Sequence, residues 1–189
     1  QFEALQAMDL SDRPKLDVVR DLFVFAVFLG GIRFSDVISL KWKDYKPQER
    51  RFIWTMQKSN RTNSLKLPVP ATKILEKYRK EPLPSYIFPL YKHEPDYYAQ
   101  HPEALLREKE NINRRVNRHL KTIGKELDLP FPLHFHLARH TFGTLALSNG
   151  MDVVKTSKAL GHNSLRTTMI YAKVIDKDLD DAMDDVFNK

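Results

Sequence analysis

His136 and Arg139 stand three residues apart in the run His136-Leu137-Ala138-Arg139-His140. On a helix, residues at i and i+3 share a face, so both side chains can address one target, and His140 at i+4 lies near His136. A second pattern, Leu160-Gly161-His162, presents a histidine directly after a glycine helix stop, and Tyr171 follows nine residues later. Upstream, Gly31-Ile32-Arg33 places a guanidinium just after a strongly apolar stretch. These are residue types for anion binding and proton exchange. Guanidiniums hold oxyanions, imidazoles exchange protons near neutrality, and a phenol becomes a nucleophile once its proton, of pKa about 10, is removed. Singly, each also has an ordinary place in a fold. An arginine near a helix end is commonly solvated or ion-paired, a tyrosine at a helix end is commonly packing, and Lys58 in a polar stretch reads as a solvated turn residue. What gives the pattern weight is the ordered set together with the residues between its members.

Helices and one hairpin must position these residues. Residues 1–14 are mixed in character and end at Pro14, as a short lead-in does. Asp17–Leu29 predicts an apolar core helix stopped by Gly30-Gly31. Ser35 is the expected N-cap of a short helix to about Leu40. Arg51–Gln57 alternates with Phe52, Trp54 and Met56 on one face, and Ser64–Val69 alternates again through Leu65, Leu67 and Val69. The polar Lys58–Asn63 between them predicts a hairpin turn. Helices are expected over Ala71–Arg79, Ile112–Leu127, Leu137–Ser148, Val153–Leu160 and about Ser164–Tyr171. Residues 82–102, rich in proline and aromatics, predict a loop. The fold class is mainly α with a small antiparallel β-sheet.

Composition sets the outer bounds. A chain of 189 residues suits one domain of ordinary size. It has no cysteine, which excludes disulfides, thiolate metal sites and a cysteine nucleophile. Its longest apolar run, Leu22–Ile32, falls far short of the ~20 residues that span a bilayer. No basic-then-apolar leader opens the chain, so secretion is not indicated, and a start at Gln1 suggests a fragment or a processed chain. The net charge of +7 divides unevenly: residues 176–189 carry −4 and the rest +11. Leu179, Met183 and Phe187 give the acidic tail an apolar stripe at helical spacing, suited to packing on its own domain or on a neighbouring subunit. The basic body hints at a polyanionic partner.

The segment His136–Val174 (HLARHTFGTLALSNGMDVVKTSKALGHNSLRTTMIYAKV) closely resembles the catalytic segment of tyrosine recombinases, the integrase family of site-specific recombinases. Gly31–Tyr45 (GIRFSDVISLKWKDY) resembles the family's first arginine motif, and Lys58 lies between two strands, where the family places a catalytic lysine. The resemblance spans about residues 14–189 and is nearest to integrases of mobile elements in Bacteroidetes-like bacteria. Ala138 and Gly143 depart from the residues many members carry, as tolerable packing changes that put no site residue in doubt. The loop at 82–102 is poorly matched. The family's N-terminal DNA-gripping domain is absent, so the chain reads as a catalytic domain (15–175) with a lead-in (1–14) and an acidic C-terminal helix (176–189).

The resemblance implies the DNA breaking-rejoining catalytic-domain fold and transesterification of a DNA phosphodiester. Tyr171 would attack phosphorus and form a 3′-phosphotyrosine, releasing a 5′-hydroxyl. Arg33 and Arg139 would clamp the non-bridging oxygens, and His162 would donate a further hydrogen bond. His136 would accept the Tyr171 proton or stabilise its loss, and Lys58 on its turn would protonate the departing 5′-oxygen. Asp36, one turn after Arg33, would orient an Arg or His, and His140 would support the site or pack structurally. No carboxylate cluster calls for Mg²⁺, and the phosphotyrosine conserves the bond energy, so neither metal, ATP nor other cofactor is expected. Arg114, Arg115, Arg118 and Lys121 on the basic helix, and Arg166, are candidates for DNA-backbone contacts.

By the same resemblance, Leu179, Met183 and Phe187 would dock on an adjacent protomer in a homotetramer assembled on double-stranded DNA, from chains monomeric in solution. The setting would be bacterial, cytoplasmic and nucleoid-associated, with no membrane. A type IB topoisomerase-like relaxing enzyme would use the same nucleophile and clamp. A catalytically silent DNA-binding module would not require all six of Arg33, Lys58, His136, Arg139, His162 and Tyr171. An RNA-binding or structural basic protein would account for the charge and none of the motifs.

Overall fold

A computed structural model describes residues 1–172. Its helices are α1 (Phe2–Ala7), α2 (Pro14–Phe28), α3 (Phe34–Val37), α4 (Val69–Tyr78), α5 (Pro95–Gln100), α6 (Pro102–Glu126), α7 (Leu137–Ser148), α8 (Val153–Leu160) and α9 (Arg166–Ala172). Strands β1 (Tyr45–Lys46), β2 (Arg51–Thr55) and β3 (Thr62–Lys66) form one antiparallel sheet in that order, with Phe52 opposite both Tyr45 and Leu65. This is the mainly helical class with a small antiparallel sheet. The expected acidic helix over 176–189, with Leu179, Met183 and Phe187, lies outside the described residues. No described helix is long and apolar enough to cross a membrane.

The core is centred on α2, which is apolar nearly all round. Leu22, Phe25 and Ala26 are fully buried, and the helix packs against α6, α7 and α4. From α6 comes a stripe at helical spacing, Ile112, Val116, Leu120 and Ile123, also fully buried. Phe25 meets Phe52 of the sheet edge-to-face at 5.9 Å, tying the sheet to the helical core. One polar cluster sits beside this core. Asp17 and Asp21 of α2 both receive Arg20 and Lys77, and the Tyr78 hydroxyl donates to Asp21.

Several boundaries differ from those expected, and proline accounts for most of the shifts. Pro14, Pro95 and Pro102 each sit in a first helical turn, where the missing N–H costs nothing and the fixed φ suits the helix. Thus α2 begins before Asp17, the 82–102 loop contains α5, and α6 starts ten residues ahead of Ile112. The strand ending at Val69 stops instead at Lys66, and Val69 opens α4, 56% exposed. Ser35 is not an N-cap: α3 starts at Phe34, with Arg33 in the capping position. The lead-in also folds back on the domain. Leu5 and Leu10 are buried, and Arg20 donates to the Met8 carbonyl at 2.6 Å.

Candidate active site

Two glycine stops bring the two arginines together. The chain leaves α2 through Gly30 and Gly31, both at positive φ, and turns into Arg33. Gly31 (φ +66) is a place where only glycine fits without strain, because a Cβ there would lie 3.0 Å from the Arg139 Cα. Its carbonyl accepts from Arg139 Nη1 at 2.9 Å, and the Leu160 carbonyl accepts from Arg139 Nη2. Gly161 (φ +62) ends α8, and its carbonyl accepts from Arg33 Nη2 at 3.4 Å. Arg139 is 7% exposed. Burial, reinforced by repulsion from Arg33 and opposed by Tyr171 and Asp36, pulls its pKa down to about 10. Two facing guanidiniums, oriented by carbonyls rather than neutralised by carboxylates, form a site for an oxyanion.

Lys58 lies in the turn between β2 and β3 and is exposed. Asp36, expected to orient an arginine or a histidine, makes its hydrogen bond to neither. Its Oδ1 accepts from the Gln57 backbone N–H at 2.9 Å, since the first turn of α3 faces the hairpin. The Gln57 side chain adds a donation to the Ser35 carbonyl at 2.8 Å and accepts from Lys109 Nζ at 2.8 Å. The residue before Lys58 is therefore held from both sides. Asp36 is 3% exposed with Oδ2 unpartnered; burial raises its pKa against the opposing Gln57 hydrogen bond and the charges of Arg33, Lys109 and Arg139.

The histidines divide into two groups. His136, at the N-cap of α7, meets His140 edge-to-face at 4.8 Å, and His140 in turn meets Tyr171 at 5.5 Å. Of these two imidazoles, His140 is the one whose ring borders the phenol. Burial lowers the pKa of both, followed for His136 by the charge of His140 and for His140 by that of His134. His162 follows the Gly161 stop, and its Nδ1 is 2.8 Å from Thr168 Oγ1. Burial and then the charges of Arg139 and Arg33 bring its pKa down to about 4. Tyr171 is 5% exposed, and burial raises its pKa against the opposing charge of Arg139. Its ring rests on Gly143, where a Cβ would come within 2.7 Å. Gly143 is thus a packing position in direct contact with Tyr171.

A cleft of about 750 Å³ is walled by Arg33, Lys58, His136 and Arg139, with Asn117 and Lys121 from α6. His162 and Tyr171 are not among its walls; the Tyr171 ring packs on Gly143, one turn on from Arg139, and His162 stands two residues after Leu160, whose carbonyl accepts from Arg139. The expected basic face of α6 is divided. Lys121 reaches the cleft, but Arg114 donates to Asn111, and Arg115 donates to the Leu90 carbonyl at 2.9 Å. Arg118 lies on the other flank, lining a separate depression. Arg166 is exposed at the start of α9. Sequence reasoning missed Thr168, fully buried against His162, and Asn117, whose Oδ1 accepts from the Phe135 N–H at 2.8 Å and fixes the approach to His136. Thr168 carried a signal, standing six residues after His162 and three before Tyr171; Asn117 carried none. Among the described residues no group of three or more His, Asp or Glu is arranged to hold a metal ion.

Known proteins resemble this chain in sequence and in fold. Tyrosine recombinase XerD of Listeria monocytogenes serotype 4b (strain F2365) is 32% identical over 148 residues, covering 78% of this chain and 48% of the relative. The crystal structure of XerA recombinase superposes with a TM-score of 0.60 at 23% identity, covering 86% of this chain and 54% of that one. XerH site-specific recombinase, bound to palindromic difH substrate in a post-cleavage complex, superposes with a TM-score of 0.65 at 20% identity, covering 97% and 49%. These two structures share the fold. The chain spans about half the length of the curated relatives it matches. Residues 1–178 match the Phage integrase family, and the chain belongs to that family.

Proposed function

We propose that this chain is the catalytic domain of a tyrosine site-specific recombinase, acting on double-stranded DNA through a 3′-phosphotyrosine. One observation carries this reading: Arg33 and Arg139 converge on a single cleft shared with Lys58 and His136, and Tyr171 lies against the helix that bears Arg139. The guanidiniums bind the non-bridging oxygens and stabilise the charge that gathers there in the transition state. Tyr171 Oη attacks phosphorus, the bond from phosphorus to the 5′-oxygen breaks, and Lys58 supplies the proton that the 5′-oxygen needs. His136, neutral at pH 7, takes the phenol proton. We assign the Thr168 hydroxyl as the donor to Nδ1, so that neutral His162 carries its hydrogen on Nε2 and donates it to the phosphate. Asp36 acts through Gln57 to place Lys58. Attack on a phosphate in the cleft calls for Tyr171 to turn out from Gly143.

The 5′-hydroxyl of a partner strand reverses the step, so the chemistry needs neither metal nor ATP. Lys121 and Arg114 are proposed to hold the DNA backbone beside the cleft, with Arg166 at the start of α9. Residues 1–14 would link to an N-terminal DNA-gripping domain. Residues 176–189 would dock through Leu179, Met183 and Phe187 on an adjacent protomer, converting monomers into a tetramer on DNA. A mobile element of Bacteroidetes-like bacteria, with the protein on the cytoplasmic nucleoid, fits the motif likeness.

The test is a nicked DNA substrate carrying the cognate site, whose short 5′-product diffuses away and traps the covalent intermediate. Adduct is expected in EDTA from the parent and absent from Tyr171→Phe. An adduct that survives Tyr171→Phe overturns the nucleophile.

A further inference from the structure

The two flanks of α6 carry different chemistry. Asn113, Asn117 and Lys121 face the cleft, whereas Arg115, Arg118 and His119 face a second depression of about 540 Å³, with the buried stripe between the two. Lys15, from the first turn of α2, and Lys92 add two more cations to its rim, and its remaining walls are uncharged, with Val18, Val19 and Tyr91 among them. No aspartate or glutamate is among the described residues lining it; the carboxylates at its margins are Glu108, 3.9 Å from Lys92 Nζ, and Glu126, ion-paired with Arg13 at 2.7 Å. The Arg115 guanidinium is oriented by its bond to the Leu90 carbonyl, which leaves its remaining donors a fixed plane. Lys15 and Arg118 are exposed, and their side chains hydrogen-bond to none of the described residues. Nδ1 of His119 is buried without a partner, and the charges of Arg118, Arg115 and Lys15 add to burial in lowering its pKa, so three cations act at one point.

Gathering like charges around one concavity costs folding energy, which a polyanion bound there returns. We propose that this depression is a second phosphate-binding site, which takes the backbone of duplex DNA outside the catalytic cleft. The inference rests on the DNA-recombinase reading and extends it. Backbone held on both flanks of α6 fixes the register of the duplex over the helix, so that the phosphate in the cleft is set by a contact remote from the chemistry.

The experiment measures binding of the 189-residue chain to a fluorescent 30-base-pair duplex of arbitrary sequence across a series of NaCl concentrations. Each phosphate contact contributes about 0.9 to the slope of log affinity against log salt, so Lys15→Gln/Arg118→Gln should lower the slope by about 1.8. Lys46→Gln/Lys66→Gln, an equal loss of charge on the sheet, should leave it near the parent's. Arg118→Lys should retain most of it, and equal urea midpoints confirm that the variants fold. An unchanged slope, or an equal fall in the sheet variant, overturns the second site. So does a synthetic peptide of residues 176–189 that binds the parent but not Lys15→Gln/Arg118→Gln while the slope stays put, since the depression then docks protein. A parent without salt-dependent DNA binding overturns the recombinase reading as well, and is distinguished by that.

Discussion

The phenol ring of Tyr171 lies on the α-carbon of Gly143: a Cβ at position 143 would stand 2.7 Å from Tyr171 Cδ2 and 2.8 Å from Cε2. Contacts that short are repulsive, so any larger residue at 143 must displace the ring or the helix beneath it. The absence of a side chain on α7 is thus what lets the proposed nucleophile bury itself. Gly143→Ala should push the ring outward, and because burial is what raises the Tyr171 pKa, the phenol should then titrate closer to about 10. The difference in tyrosinate absorbance between each protein and its Tyr171→Phe partner measures this. An identical titration in both backgrounds would show that the ring stays buried.

Asp36 bears on the hairpin rather than on the phosphate. Asp36→Ala removes the acceptor of the Gln57 N–H and should lower adduct formation about tenfold, the loss falling on the lysine-dependent step; Asp36→Asn keeps an acceptor oxygen and should retain most of it. The stability effect has a definite sign. A carboxyl whose pKa is raised on folding contributes stability that is present below its unfolded pKa and lost as pH rises through the folded one. Asp36→Asn should therefore gain in urea midpoint relative to the parent as pH rises above the ordinary aspartate value of about 3.9. A constant difference across that range would mean that Asp36 does not titrate abnormally.

Lys58 is assigned the proton that the 5′-oxygen requires. A substrate with sulfur in place of that bridging oxygen needs no such proton, because a thiolate leaves unaided near neutrality. Lys58→Ala should cleave the ordinary substrate at least about 100-fold more slowly and the sulfur substrate at near the parent rate. Arg139→Ala should be slow on both. If sulfur fails to rescue Lys58→Ala, the lysine binds rather than donates.

Thr168 is a positioning residue for His162. Thr168→Val removes the hydroxyl and should slow cleavage about tenfold, whereas Thr168→Ser should restore most of the rate. His162 also shapes acid stability. Its pKa falls to about 4 on folding, so the stability it contributes is present above the ordinary value of about 6.5 and is lost as pH drops toward 4. His162→Asn should flatten the pH dependence of the urea midpoint over that window. An unaltered slope would assign the acid sensitivity to other groups.

What the chain offered by itself was a list of candidate site residues and the bounds of two helices beside them, α7 and α8. Leu137–Ser148 and Val153–Leu160 have the bounds their apolar spacing and Gly or Asn stops predict, because capping and amphipathic period are local properties. Proline misled wherever it opened a helix instead of ending a segment, at Pro14, Pro95 and Pro102, since which role it plays depends on what packs next to it. Partnerships across the chain were not legible at all. Asp36 with Gln57, Arg139 with the Gly31 and Leu160 carbonyls, Thr168 with His162 and Gly143 with Tyr171 join segments that meet only after α2, α7 and α9 have packed. The division of one basic helix into a cleft side and a far side is of the same kind. Residue types decided what chemistry was available, and burial of the α2 and α6 stripes decided which side chains face which cavity.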